Sequence, residues 1–245
     1  MLFNSIDFFM FLPLVFSLYW FVCYKNLKLQ NLLIVISSYV FYGWWDWRFL
    51  SLILFSTLVD YFIGRGLKNE NNNRNRKLLL WISILVNLGF LGFFKYYNFF
   101  VISFAEAFTL FGSSININTL NIILPVGISF YTFQTLSYSI DVYKRKLEPT
   151  NDFIGFAAFV CFFPQLVAGP IERGTHLLPQ ILNKRTFSFH QAVQGSKLII
   201  WGLFKKVVIA DSLSFHVNNI FNNYKFQEGG GVVARLNLFF HTNLL

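Results

Sequence analysis

The chain is a succession of long apolar runs separated by short segments rich in basic residues, and this pattern leaves few possible folds. A membrane-spanning helix needs about 17–25 mainly apolar residues, and the runs 8–24, 29–45 and 49–67 meet that length. Charged residues make up only 13% of the chain, against about 25% in a typical soluble domain. The 33 phenylalanines are spread over successive runs, which suits lipid contact better than one interior. The sequence predicts an all-α, polytopic integral membrane protein.

The positions of the basic residues predict how these runs are oriented. Lys25 and Lys28 follow the first run, and the segment 68–77 follows the third. Two crossings separate these groups, so both lie on one side, which the positive-inside rule makes the cytoplasm. We therefore predict a polar cytoplasmic loop at 68–77. The net charge of +9 is explained by such loops, and no basic face remains for nucleic acid.

The stretch 78–111 is apolar but is interrupted by KYYN at 95–98. Two full crossings here would place the basic residues 144–146 outside, against the positive-inside rule. One long tilted helix, or one crossing with a broken piece, keeps them inside, and we predict this arrangement.

The segment 153–170 is also apolar, yet it contains Pro164, Gln165 and Pro170 and has basic residues on both flanks. A spanning helix would place one flank outside, whereas a re-entrant segment keeps both inside. Irregular backbone at membrane depth is tolerated only when it is buried in protein or lines a watery cavity. We predict a re-entrant segment at 153–170, with a function attached to it.

A further helix is predicted from Ser188 to beyond Asp211, because SFHQ at 188–191 has the form of a capping box. Lys205 and Lys206 lie in this helix, where their ammonium groups could reach the cytoplasmic interface.

The segment 124–146 carries a polar stripe. Tyr131, Gln134, Tyr138 and Asp141 follow Gly127 at spacings of 4, 3, 4 and 3. They therefore share an arc of about 80° on a helix. Such a stripe forms hydrogen bonds between helices or lines a cavity, and spacing alone does not separate the two.

Isolated titratable residues give weaker hypotheses. Asp60 and Asp211 lie in apolar surroundings. Each is expected to pair with a lysine or arginine, or else to serve an ion or proton relay. The histidines and cysteines show no metal-ligand spacing, so no metal site is predicted. They are His176, His190, His216, His241, Cys23 and Cys161.

Five segments together resemble the membrane-bound O-acyltransferase (MBOAT) superfamily, in its alginate O-acetylation branch. They are FNSIDFFMFLPLVFSLYW, SSYVFYGWWDWRFLSLILFSTLVDYFIG, LPVGISFYTFQTLSYSIDVYKR, FFPQLVAGPIERGTHLLPQ and WGLFKKVVIAD. The resemblance covers essentially all of the chain. It implies a helical horseshoe around a funnel, in a multi-pass protein of the bacterial inner membrane.

The resemblance also implies a reaction. An acyl group would pass from acetyl-CoA or another acyl donor, acting as co-substrate, to hydroxyls of an exported polysaccharide such as alginate. Periplasmic polysaccharide-acetylation proteins would be partners, and no bound cofactor is expected. The residues that would line the funnel or substrate path are Tyr131, Gln134, Tyr138, Asp141, Pro164, Gln165, Gly169, Pro170 and Arg173. Lys205 and Lys206 would attract the anionic donor, unless they only anchor their helix at the interface.

One feature of the family is missing. Its histidine in a Trp-His-Gly context does not occur here, and His241 lacks that context. We therefore assign no catalytic residue, and expect 1–245 to be the N-terminal portion of a single MBOAT transmembrane domain. Two other hypotheses stay open: a transporter or channel-like protein, and a non-catalytic remnant.

Overall fold

The computed structural model describes residues 1, 3–110, 125, 127–166, 169–170 and 172–222, and every element in this part is helical. The predicted all-α class is therefore confirmed for these residues. The α-helices are α1 Ile6–Ser17, α2 Leu27–Asp46, α3 Leu50–Asn69, α4 Asn73–Leu91, α5 Tyr97–Leu110, α6 Ile128–Tyr143, α7 Phe153–Cys161, α8 Phe163–Leu166, α9 Gly174–Leu182, α10 Phe189–Phe204 and α11 Asp211–Asn222. Short π-helical turns lie at Leu18–Val22, Gly92–Tyr96 and Lys205–Ala210, and a 3₁₀ turn at Trp47–Phe49.

Two helical runs are long and apolar enough to cross a membrane, judged by length and composition. They are Leu27–Asn69, with 43 residues, and Asn73–Ala105, with 33 residues. The second run has no break between α4 and α5, only the π-helical turn at Gly92–Tyr96. One long helix was an expected form of this stretch, and its continuity is confirmed. The sidedness of the helices stays a prediction.

Polar side chains set where the helices begin. Asn72 caps α4 by accepting a hydrogen bond from the Arg74 backbone N–H, at 2.9 Å. Since α3 extends to Asn69, only three residues separate the two helices, and the predicted loop 68–77 is mostly helical. Ser188 caps α10 by accepting a hydrogen bond from the Gln191 N–H at 3.4 Å, so the predicted start of this helix is confirmed.

The described residues form two compact units. The first consists of Met1 and Leu12–Arg185, and the second of the described parts of Leu2–Phe11 and Thr186–Leu245. In the first unit, α6 packs against α3, α4, α7 and α9, while α2 packs against α7 and α8. Its core contains fully buried side chains from most of these helices. They include Ile53, Leu67, Tyr138, Phe156, Phe159 and Leu178.

The described residues 153–166 of the predicted re-entrant segment form two short helices, α7 and α8. α7 has nine residues, so it is about 14 Å long, too short to cross a bilayer of about 30 Å. Each of its residues from Gly155 to Cys161 is buried in protein. The helix ends at Phe162, and the single turn α8 follows. The re-entrant topology itself stays a prediction.

α6 begins after Gly127, whose φ of +77° places it in the left-handed region. A Cβ atom at this position would lie 2.6 Å from the Leu166 carbonyl oxygen. Glycine is required here for both reasons, and this contact brings the start of α6 against the end of α8.

Candidate functional site

The polar stripe of α6 lies inside the helix bundle. Tyr131, Gln134, Tyr138 and Asp141 are all buried, with at most 7% of any of them exposed. The Gln134 side-chain amide donates a hydrogen bond to the Phe159 carbonyl oxygen at 2.7 Å. This bond ties α6 to α7, so one member of the stripe contributes to helix packing.

Tyr138 is the most enclosed residue of the stripe. Its ring centroid lies 4.7 Å from that of Phe156 and 6.3 Å from that of Phe159. Gly64 on α3 lies against its hydroxyl end, because a Cβ there would be 2.7 Å from Tyr138 Oη. The close approach of α3 and α6 therefore depends on the missing side chain of Gly64.

Asp60 is the centre of a buried hydrogen-bond network that joins α3, α4 and α6. Its Oδ1 accepts hydrogen bonds from the Ser83 hydroxyl at 2.5 Å and the Ser139 hydroxyl at 2.8 Å. Its Oδ2 accepts one from the Asn87 amide at 2.8 Å. The carboxyl group is fully enclosed and is surrounded by donors that hold the three helices together.

A second layer of hydroxyl groups orients Asn87. Its Oδ1 accepts hydrogen bonds from Ser56 at 2.9 Å and Thr135 at 3.1 Å. One sequence hypothesis paired Asp60 with a lysine or arginine. It is wrong for the described part of the chain, where the hydrogen-bond partners of Asp60 are neutral. Hydroxyl and amide donors satisfy a carboxyl group without placing a second charge in the interior.

The sequence carries a signal for this network that the spacing analysis of α6 alone missed. Each of the three helices contributes two polar residues four positions apart, and such residues share a helix face. The pairs are Ser56 and Asp60 on α3, Ser83 and Asn87 on α4, and Thr135 and Ser139 on α6.

The other predicted path residues follow α7. Gln165 is buried, and its Nε2 has no hydrogen-bond partner within the described structure. The Gly169 N–H donates a hydrogen bond to the Gln165 carbonyl oxygen at 3.0 Å. Pro164, Pro170 and Arg173 are exposed, and Arg173 immediately precedes α9. Their role in a substrate path stays a prediction.

A polar cavity of about 280 Å³ lies at the C-terminal ends of α3 and α6. Arg76 forms part of its wall and donates hydrogen bonds to the carbonyl oxygens of Leu67, Glu70 and Tyr143. The last carbonyl groups of a helix have no hydrogen-bond partner within the helix. The Arg76 guanidinium therefore caps the C-terminal ends of both α3 and α6. No member of the α6 stripe lines this cavity.

The two lysines expected to attract the donor lie in the second unit. Lys206 Nζ forms an exposed ion pair with Asp211 Oδ1 at 2.5 Å. Lys205 Nζ lies 5.6 Å from the ring centroid of Trp201. Asp211 is thus paired with a lysine, as one of the two sequence hypotheses expected, but the partner is local. The Asp211 carboxylate offsets the charge of Lys206, so Lys205 is the more available of the two lysines for binding an anion.

The histidines with described side chains form no metal centre. His176 Nδ1 lies 2.9 Å from Glu172 Oε2 at an exposed position, and His190 is exposed. Within the described residues, no group of three or more histidine, cysteine, aspartate or glutamate side chains could hold a metal ion. The His216 side chain and His241 lie outside the described residues.

Curated relatives share clear similarity with the chain. It is 41% identical over 220 residues to the probable alginate O-acetylase AlgI of Pseudomonas aeruginosa, an alignment covering 89% of this chain and 41% of that protein. A protein of the same name from Azotobacter vinelandii is 40% identical over 216 residues, or 86% of this chain and 42% of that protein. The peptidoglycan O-acetyltransferase of Helicobacter pylori is 34% identical over 241 residues, or 86% of this chain and 45% of that protein.

These relatives are named as O-acetylases or O-acetyltransferases, the class of protein that the sequence resembles. The chain spans less than half the length of each of them. No family model matches the chain, and no solved structure matches it.

Proposed function

We propose that this protein is a membrane-bound O-acyltransferase of the MBOAT type, which transfers acetyl groups to hydroxyls of an exported polysaccharide. The observation that supports this best is the identity of 34–41% to relatives named for O-acetylation of two different polymers. Alginate and peptidoglycan both offer sugar hydroxyls, so the shared reaction is acetylation of a carbohydrate hydroxyl.

The proposed location is the bacterial inner membrane, crossed several times. Two long apolar helical runs support a membrane location. Large apolar side chains along them are exposed, including Leu85, Phe99 and Phe100 at more than 60% each. Lipid contact would satisfy such surfaces, which soluble proteins rarely expose in continuous patches.

The proposed donor is acetyl-CoA or another acyl donor on the cytoplasmic side, and the acceptor is reached with periplasmic acetylation proteins. Lys205 and Lys206 would attract the anionic donor. The α6 stripe, together with Gln165, Gly169 and Arg173, would form the protein wall of the acyl path. No residue of the chain is proposed as the base that activates the acceptor hydroxyl.

Deletion of the gene, followed by separate analysis of the polymers, tests the proposal. Exopolysaccharide and peptidoglycan are purified, and ester-linked acetate is released with mild alkali and measured. We expect the acetate of one polymer to fall and the other to be unchanged, with recovery when the gene is restored on a plasmid. Any related gene in the same cell is deleted as well, and unchanged acetate in both polymers would then contradict the proposal.

A further inference from the structure

An apolar cleft of about 310 Å³ lies in the first unit, between α1 with its π-helical turn, α2, α8 and α9. Its walls are mainly aliphatic and aromatic side chains, among them Leu12, Ile34, Phe163 and Leu177. Small-molecule sites have volumes of about 300–1,000 Å³ and mostly apolar walls with few polar groups. The cleft therefore has the size and lining of a binding site for part of an apolar molecule.

The charged residue of the cleft is Arg185, and the surrounding residues hold it in place. Its Nη2 donates a hydrogen bond to Asn31 Oδ1 at 2.5 Å. Asn31 Nδ2 donates in turn to the Ile181 carbonyl oxygen at 3.2 Å, which fixes the amide against α9. The guanidinium carbon lies 5.3 Å from the ring centroid of Tyr19, within cation–π distance. The guanidinium is thus positioned before any ligand arrives.

Arg185 has no anionic partner among the described residues, where the ion pairs involve other side chains. The residue is partly buried, and its Nε is enclosed without a hydrogen-bond partner within the described structure. Burial lowers the pKa of Arg185, yet a guanidinium remains charged in proteins. A charge removed from water without an opposite charge is unfavourable, so this end of the cleft favours an anion.

We infer that the cleft binds an anionic membrane phospholipid, with an acyl chain along its apolar walls and the phosphate beside Arg185. Arginine suits phosphate because its planar donors can bind two oxygens at once. A free anion would contact only the guanidinium and would leave the apolar walls unoccupied. A zwitterionic lipid would pack against the same walls, but it has no net negative charge to offset that of Arg185.

This inference rests on the membrane location in the proposed function and not on acetyl transfer. A protein that prefers anionic lipid but acetylates no polymer would contradict the proposed reaction alone. A protein that acetylates a polymer without any lipid preference would contradict this inference alone.

Native mass spectrometry of the purified protein in detergent micelles tests the inference. Phosphatidylglycerol and phosphatidylcholine with identical acyl chains are titrated in parallel, and lipid adducts are counted. We expect phosphatidylglycerol to bind roughly tenfold more tightly, a difference of about 1.4 kcal/mol, because its phosphate charge is not offset by a choline group beside Arg185. Arg185→Gln should remove this preference, while Arg185→Lys should retain part of it. The matched control Lys184→Gln changes an exposed neighbour outside the cleft and should leave the preference unchanged.

A second variant tests the apolar part of the cleft. Leu177→Trp places a larger ring within it and should weaken both lipids by a similar factor, with the preference for phosphatidylglycerol kept. Circular dichroism and gel filtration select variants that fold normally. Equal binding of the two lipids to the unchanged protein would overturn the inference. So would an unaltered preference in Arg185→Gln, or complete competition by millimolar inorganic phosphate, which would show a free-anion site.

Discussion

The Ser139 hydroxyl donates a hydrogen bond of 2.8 Å to Asp60 Oδ1, across 79 positions of the chain. This bond joins α6 to α3, and the bonds of Ser83 and Asn87 to the same carboxyl group bring in α4. Inside an apolar bundle, the contacts of aliphatic side chains give little directional information. A carboxyl group with three donors fixes how the helices are rotated about their axes, because each donor must point at one place.

Ser139→Ala is expected to lower the free energy of unfolding by about 1–2 kcal/mol, the range for a buried hydrogen bond between helices. The measurement is unfolding in mixed micelles with increasing denaturing detergent, followed by circular dichroism. Ser137→Ala is the matched control, because the Ser137 hydroxyl donates only to the Gln134 carbonyl oxygen of its own helix. Equal losses for the two variants would show that Asp60 does not depend on Ser139.

Gly64→Ala is expected to destabilise the protein by about 1–3 kcal/mol, the usual effect of overpacking. The new methyl group would lie 2.7 Å from Tyr138 Oη and 2.9 Å from Tyr138 Cε1. Tyr138 is fully buried and packed against Phe156, so its ring has no free space to move into. The same unfolding assay measures the effect.

Gly89→Ala serves as the control for this prediction. It lies in α4, and a Cβ there would meet no described atom within 4 Å. Alanine has a higher helix propensity than glycine, so this variant should be stabilised by up to about 1 kcal/mol. If Gly64→Ala were also stabilising, the close approach of α3 and α6 would be contradicted.

The sequence predicted the helices well because their signals are local. Apolar run length defined α2 and α3, and Ser188 marked the start of α10 through a side chain that bonds three residues ahead. Spacing also predicted that the α6 stripe faces one direction. Which helices meet that face depends on contacts distant in sequence, such as that of Gln134 with Phe159, and periodicity carries no information about them.

The sequence did not predict the neutral partners of Asp60 or the pairing of Asp211 with Lys206, for two different physical reasons. The lysine or arginine partner expected for Asp60 assumed that a buried charge needs an opposite charge, whereas neutral donors on two helices fill this role. Lys206 and Asp211 are five positions apart, a spacing that does not bring side chains together on an α-helix. In the π-helical turn at Lys205–Ala210, residues five positions apart lie on the same face. The local sequence pattern does not predict this turn.

Arg76→Lys is expected to lower the free energy of unfolding by about 1–3 kcal/mol, through loss of two hydrogen bonds of about 0.5–1.5 kcal/mol each. A guanidinium reaches the carbonyl oxygens of Leu67, Glu70 and Tyr143 together, whereas an ammonium group lacks its planar fork. The variant keeps the positive charge, so the result separates geometry from electrostatics.

Arg74→Lys is the control for this measurement, since Arg74 is exposed on the same first turn of α4. Its unfolding should match that of the unchanged protein. If Arg76→Lys also showed no loss of stability, the proposed capping of α3 and α6 by the guanidinium would be refuted.

The pH dependence of stability should include a contribution from Glu70. Its pKa is held below the ordinary value of 4.5, mainly by the hydrogen bond from the Asn72 N–H at 2.8 Å and also by that from the Asn75 amide at 2.9 Å. A lowered pKa in the folded state means that stabilisation is present above the unfolded value and is lost as the pH falls through the folded value.

Glu70→Gln should therefore be less stable than the unchanged protein at neutral pH, with the difference shrinking below about pH 4.5. Unfolding experiments between pH 7 and pH 3 measure this difference. Asn75→Ala removes one of the donors and should reduce the pH-dependent part. A difference that grew on acidification would reverse the sign of the argument.

Asp211→Asn is expected to strengthen donor capture if Lys206 attracts the anionic acyl donor. The substitution removes the carboxylate that lies 2.5 Å from Lys206 Nζ, so the positive potential at this turn increases. In inside-out membrane vesicles supplied with acetyl-CoA, the KM for the donor should fall by about twofold at low ionic strength, and the effect should fade as added salt screens exposed charges. Lys206→Gln should raise the same KM, while kcat is unchanged in both variants.

If the lysines serve only to anchor their helix at the interface, neither substitution will change the KM for the donor. Since an exposed ion pair contributes about 1 kcal/mol or less to stability, loss of folding would not explain a change in KM.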